Sequence, residues 1–144
     1  MYLIDTNVLS HLTSAQRASR LFRDQCRVPS EVVHEAGGTA AKMLPNEVKY
    51  PTTVRVLGIL REVMATVPVG NTELVDLYAN KGSADPVLIA CALDAIRQGA
   101  ELLVAPIWVV VSNDKAVRAK AEQLGVDTRT RAQFFDETRT QWGR

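Results

Sequence analysis

The sequence predicts an α/β protein, a three-layer sandwich in which a central parallel sheet is flanked by helices. Short apolar runs alternate with helix-period segments throughout, the pattern of strands joined by right-handed crossovers. The run Ile107-Trp108-Val109-Val110-Val111 is continuously apolar and rich in β-branched side chains, as a strand covered on both faces must be. The chain of 144 residues is 47% hydrophobic, enough to cover a sheet with helices and bury a real core, so residues 1–144 are read as a single domain.

The first strand is Tyr2-Leu3-Ile4, ended by Asp5. Residues 6 to 13 read as a short helix, and Ser14 as the cap of a second one running to about Gln25. Cys26 to Val28 follow as a short strand. Pro29 and Ser30 supply a stop and a cap before a helix from Glu31 to Met43, weakened by Gly37 and Gly38. Pro45, Asn46 and Pro51 mark a loop. Between Thr52 and Ala65, the residues Val56, Ile59, Leu60 and Val63 recur at i, i+3, i+4 and i+7, one apolar stripe of an amphipathic helix.

Thr66 to Val69 is a short strand candidate, Gly70-Asn71-Thr72 a turn and cap, and Glu73 to Asn80 a further helix, broken by Lys81-Gly82-Ser83. Asp85-Pro86 opens the next helix, which repeats the stripe with Ile89, Ala92, Leu93 and Ile96 and ends near Gly99. After the strand 107–111 come Ser112-Asn113-Asp114. Val117, Ala121 and Leu124 line a helix closed by Gly125, Val126 starts a last edge strand, and Ala132 to Thr138 form the C-terminal helix.

Composition sets bounds on function. Lys and Arg number 17 against 16 Asp and Glu, so the net charge of +1 neither demands nor excludes a nucleic-acid partner. No run has the apolar length of a membrane helix, and no basic n-region or apolar h-region precedes the first acid, so a cytoplasmic protein is expected. Cys26 and Cys91 belong to no CxxC or Cys/His ligand pattern and read as small buried apolar residues.

The chemistry is carried by Asp5, Glu35, Asp85 and Asp114. Each has an ordinary explanation: Asp85 before Pro86 is a helix cap, Asp114 and Asp5 precede helices in the same way, and Glu35 fits a solvated face. Taken together, Asp5 and Asp114 both follow apolar strands at the carboxyl edge, where open α/β sheets build crevices. Clustered carboxylates repel unless protonated or neutralised, and hard oxygen donors suit Mg²⁺ or Mn²⁺.

The segment Tyr2-Leu3-Ile4-Asp5-Thr6-Asn7-Val8-Leu9 resembles the opening of PIN-domain proteins, and more narrowly of the VapC-like toxin ribonucleases. Pro29-Ser30-Glu31-Val32-Val33-His34-Glu35 resembles that family's second motif, Asp85-Pro86-Val87-Leu88-Ile89-Ala90-Cys91-Ala92 its third, and Ser112-Asn113-Asp114 with Leu124-Gly125-Val126 its fourth. Order, spacing and length agree over nearly the whole chain, although residues 37 to 81 contribute little. Ser112 stands for a frequent threonine, and Ala116 leaves no further acid close after Asp114, so a second metal is less well supplied.

The resemblance implies a metal-dependent endoribonuclease in which Asp5, Glu35, Asp85 and Asp114 hold Mg²⁺ or Mn²⁺ directly or through water, leaving a 5′-phosphate and a 3′-hydroxyl. It further implies a homodimer and a small antitoxin protein whose tail blocks the acidic pocket. Thr6 and Ser112 are candidates to orient a carboxylate or water, and Asn7 to hydrogen-bond Asp5 or its neighbours. Arg17, Arg20, Arg23 and Arg27 follow a near-helical spacing and are candidate RNA contacts, although a solvated helix face explains them slightly better; Arg129, Arg131 and Arg139 are a second patch. His34 and His11 read as structural or solvent-facing, Trp108 as core, and Trp142 as interface or tail.

Two other classes compete. A catalytically inactive PIN-like binding module is disfavoured by the intact set of four acids. A receiver-like phosphoacceptor domain is disfavoured because Asp5 has no acidic neighbour.

Overall fold

The computed structural model describes residues 1–38, 44–76, 82 and 85–142. Their strands β1 (Tyr2–Ile4), β2 (Cys26–Pro29), β3 (Lys49–Tyr50), β4 (Val109–Val111) and β5 (Asp127–Arg129) form one all-parallel sheet in the order β3-β2-β1-β4-β5. The helices are α1 (Thr6–His11), α2 (Ser14–Ala18), α3 (Arg20–Gln25), α4 (Ser30–Ala36), α5 (Val54–Ala65), α6 (Asp85–Gly99), α7 (Lys115–Gln123) and α8 (Arg131–Thr138).

Alternation along the strands builds two cores, one on each face of the sheet. Leu3 and its register partner Val110 enter a core with Val56, Ile59 and Val63 of α5, the Leu88–Ala92 stretch of α6, and Val117 and Ala121 of α7. One residue on, Ile4 and its partner Val111 enter the other, with Val8 and Leu9 of α1, Phe22 of α3, Val32 of α4 and Phe134 of α8. The sheet therefore lies between two helical layers, as expected for a three-layer α/β sandwich.

The strand order places the site. From β1 the chain moves outward through β2 and β3, then returns to the other side of β1 with β4 and β5. The order reverses between β1 and β4, and open α/β sheets have their crevice outside the carboxyl ends of such strands. Asp5 follows β1 and Ser112-Asn113-Asp114 follow β4.

Several local expectations are corrected. The stretch from Ser14 to Gln25 is two helices, because Ser19 leaves helical geometry at φ −67°, ψ 156°. Its hydroxyl donates to Gln16 O at 2.6 Å and accepts from Phe22 N at 3.2 Å, closing one helix and opening the next. Thr13, with Gln16 in a capping box, begins the pair in place of Ser14. The helix at Glu31 stops at Ala36, with Gly37 beyond it at φ 58°; residues 39–43 of the expected span lie outside the described residues.

Lys49-Tyr50, read as loop, adds an edge strand, while Thr66–Val69 is a turn outside the sheet, with Val69 fully exposed. Residues 73–76 are not helical, and 77–81 of that expected helix and break, together with Ser83, lie outside the described residues. Ile107 and Trp108 precede the strand, which begins at Val109; Ile107 is 71% exposed and its carbonyl accepts from the Met1 amine at 2.9 Å. Trp108 is partly buried against the α5–α7 core, and Trp142 packs edge-on to Phe134. Cys26 and Cys91 are free and buried. Among the described residues no helix is long and apolar enough to cross a membrane.

Candidate functional site

Four segments far apart in sequence meet at the carboxyl edge of β1 and β4. Asp5, Thr6, Asn7, Ser10, Glu35, Asp85, Asn113 and Asp114 line one open pocket of about 470 Å³. All four predicted acids are among them, as are Thr6 and Asn7.

Asp5 is the floor. It is 6% exposed, its backbone N–H donates to Val111 O at 3.2 Å, and its Oδ1 accepts from Thr6 N at 2.6 Å as the N-cap of α1. Its Oδ2 accepts from the hydroxyl of fully buried Ser112 at 2.6 Å. Ser112 Oγ in turn accepts from Asp114 N at 3.0 Å, so one hydroxyl ties the ends of both central strands together. Asp114 caps α7, its Oδ1 accepting from Ala116 N at 2.7 Å and Val117 N at 3.2 Å. The capping explanations for Asp5 and Asp114 therefore hold; at Asp114 capping occupies Oδ1 alone.

Glu35 comes from the last turn of α4, which packs against α1. It is exposed, and its Oε2 accepts from the Thr6 hydroxyl at 2.5 Å. Thr6 thus bonds one acid through its amide and a second through its side chain. Asp85 is the first residue of α6, and its carboxylate makes no hydrogen bond among the described residues.

Gly82 holds the approach to Asp85. Its φ is +73°, and a Cβ there would lie 2.3 Å from Leu74 O and 2.9 Å from Asp85 Oδ2. The tripeptide containing Gly82 was legible only as a helix breaker, and this packing role depends on a fold contact with Leu74 that no local pattern announces.

Electrostatics mark Asp5 and Asp85 apart from Asp94, another carboxylate withdrawn from solvent. Burial, followed by the charges of Asp5, Asp114 and Glu35, pushes Asp85 up to about 7. Burial also raises Asp5, against the hydrogen bonds from Ser112 and Thr6 and with help from the charges of Glu35 and Asp114. Among the described residues no ion pair reaches any of the four. Asp94, on the same helix as Asp85 and 1% exposed, is by contrast fully served: Tyr50 Oη donates at 2.7 Å, Gln98 Nε2 at 2.7 Å and Arg55 Nε at 3.1 Å. The acids at the sheet edge have no such cationic partner among the described residues.

Hard carboxylate oxygens crowded without a basic partner are the donor chemistry of Mg²⁺ or Mn²⁺. Among the described residues, however, no three His, Cys, Asp or Glu side chains are gathered closely enough to close around an ion. A cation of the Mg²⁺ type keeps several waters and takes one or two carboxylates directly, so it asks for fewer side-chain donors than a closed set would supply.

The basic residues are distributed differently from the expectation. The break at Ser19 puts Arg17 on α2 and Arg20 and Arg23 on α3, while Arg27 lies in β2, so the four share no single helix face. Arg20 pairs with Asp24 at 3.1 Å, Arg27 donates to Arg23 O at 2.9 Å and Cys26 O at 2.7 Å, and none of the four lines the acidic pocket. Arg131, at the start of α8, contacts two residues of the pocket wall. Its Nη1 donates to Asn7 Oδ1 at 3.3 Å and its backbone N–H to Asn113 Oδ1 at 2.9 Å.

No protein-family model matches this chain, and no curated protein or solved structure matches it either.

Proposed function

We propose that this chain is a PIN-like, metal-dependent endoribonuclease of the VapC-like toxin type, acting in the cytoplasm on RNA phosphodiesters. One observation carries the reading: Asp5, Glu35, Asp85 and Asp114, each drawn from a separate motif, line a single pocket, and among the described residues no cation is paired to any of them. A hydrolase that acts on a polyanion needs positive charge at such a pocket, since carboxylates alone repel phosphate.

Asp5, Glu35, Asp85 and Asp114 would hold Mg²⁺ or Mn²⁺, directly or through water. When bound, the ion supplies the neutralisation and Lewis acidity that attack of water on a phosphodiester requires. The chain's own contribution is positioning. Ser112 and the Thr6 amide fix both oxygens of Asp5, Thr6 Oγ1 orients Glu35, and the capped start of α7 orients Asp114. Without an ion Asp85 is lifted to about 7, so loading the pocket with a cation near neutrality would release the proton that this carboxyl otherwise holds. The open pocket admits a strand of RNA from solvent. A small antitoxin and a second copy of the chain are the partners that go with this reading.

The test is cleavage of a total-RNA pool by purified protein with Mg²⁺, Mn²⁺ or EDTA, beside Asp5→Asn and Asp114→Asn. Metal-dependent cuts that vanish in both variants support the nuclease. The second reading, an inactive PIN-like binding module, is favoured by the absence of a closed donor set among the described residues. Folded wild-type protein that binds RNA and never cuts it would select that reading.

A further inference from the structure

We infer that Arg131 is the substrate-binding residue that receives a backbone phosphate of the RNA at the lip of the acidic pocket. The inference rests on the nuclease reading and adds the group that grips the substrate.

Its basis is where the guanidinium sits and what it does not bind. Arg131 is half-buried at the start of α8, with its backbone N–H held by Asn113 Oδ1 at 2.9 Å. Its guanidinium reaches Asn7 Oδ1 at 3.3 Å. Asn7 and Asn113 both line the pocket, Asn7 two residues after Asp5 and Asn113 directly before Asp114. The guanidinium pairs with no carboxylate among the described residues; its side-chain partner is the neutral amide oxygen of the pocket residue Asn7.

An arginine carries five donors in a rigid fork, and a single weak bond to an amide leaves most of that fork available. The neighbouring cation, Arg118, is committed differently: its Nη1 donates to the backbone of Ser112 at 2.9 Å and of Asp114 at 3.4 Å. Arg129 is paired with Glu137 at 2.5 Å. Arg131 therefore combines contact with a residue of the pocket wall with an unspent charge. A phosphate adjacent to the scissile one satisfies that charge, and Asn7 presets the side chain for it.

The experiment compares wild type, Arg131→Ala and Arg131→Lys on a fluorescein-labelled single-stranded RNA of mixed sequence, with Mg²⁺ fixed and KCl varied. Calorimetric Mn²⁺ binding and thermal unfolding are measured on the same preparations. The expected result for Arg131→Ala is a KM raised roughly tenfold or more with kcat little changed. Its plot of log kcat/KM against log salt should be shallower by about one charge. Arg131→Lys should recover that slope and only part of the KM, because a point charge replaces the fork. Mn²⁺ affinity and melting temperature should match wild type in both variants.

Unchanged KM and salt slope in Arg131→Ala would overturn the inference. So would a loss that follows weakened Mn²⁺ binding or unfolding and that lysine fails to restore. Wild-type protein that cuts no RNA removes the nuclease reading itself, a result visible before any variant is compared.

Discussion

Ser112 donates its hydroxyl to Asp5 Oδ2 at 2.6 Å across 107 residues of chain, and the same oxygen accepts the amide of Asp114. Ser112→Ala strips a nearly buried carboxylate of one donor and a backbone amide of its acceptor, at a cost of about 1–3 kcal/mol. Urea unfolding should register that loss. Because the Ser112 bond lowers Asp5's proton affinity, a carboxyl-carbon NMR titration should show Asp5 shifting further upward in the variant. Ser112→Thr, which keeps the hydroxyl, should hold Asp5 where it is in wild type.

Asp85 makes stability depend on pH with a definite sign. Its folded value of about 7 lies above the ordinary 3.8, so the folded state holds the proton more tightly. This contribution is therefore present in acid and is lost as pH rises from about 4 through 7. Asp85→Asn should raise the melting temperature of metal-free protein at pH 8 and leave it nearly unchanged at pH 4. The scale is about 2–4 °C for each kcal/mol in a chain of this size. Mg²⁺ should stabilise wild type more at pH 8 than at pH 6, and EDTA should abolish the difference.

Gly82 and Gly58 offer opposite outcomes from one substitution. Gly82→Ala forces a Cβ against Leu74 O and Asp85 Oδ2 at positive φ, costing about 1–3 kcal/mol for the backbone conformation alone. It should also depress RNA cleavage by displacing Asp85. Gly58, exposed within α5 with open space at its Cβ, should gain about 0.5–1 kcal/mol on replacement by alanine. Denaturant midpoints of the two variants should move in opposite directions.

The Asp94 cluster separates stability from chemistry. Tyr50→Phe removes a 2.7 Å donor from a buried carboxylate, for about 1.5–3 kcal/mol. Its denaturation midpoint should fall while RNA cleavage per folded molecule stays at the wild-type rate. A parallel loss of cleavage would mean that the cluster and the acidic pocket communicate along α6.

The sequence made the strand ends legible because hydrophobic period and chemistry coincide there: Tyr2-Leu3-Ile4 runs straight into Asp5, and Val109-Val110-Val111 into Ser112. The α5 stripe was legible for the same reason, since Val56, Ile59 and Val63 are all buried. Elsewhere local propensity met no partner. The β-branched residues at 66–69 and 107 favour strand, yet β4 begins only at Val109, and Ile107 shares with the residue before β1 a single bond, its carbonyl accepting from the Met1 amine at 2.9 Å. Lys49-Tyr50 shows the reverse case, a strand made by its pairing with Val28 and Pro29 and not by its composition. Arg131 was seen as one of a patch, but its approach to Asn7 spans 124 residues and could come only from the fold.

The ladder of the sheet continues past its last strand residues. Asp5 N–H bonds Val111 O, and Ser112 N–H bonds Arg129 O, so Asp5 on the pocket floor and Ser112 behind it are the next rungs of the two central strands. β1 and β4 are paired along both edges and covered on both faces, and such strands release their amides to solvent exchange only when the whole protein opens. Asp5 and Ser112 inherit that protection, whereas Glu35 rides on a short helix with an exposed side chain. Amide hydrogen exchange should therefore place Asp5 and Ser112 among the slowest-exchanging residues of the molecule, and Glu35 among the faster ones.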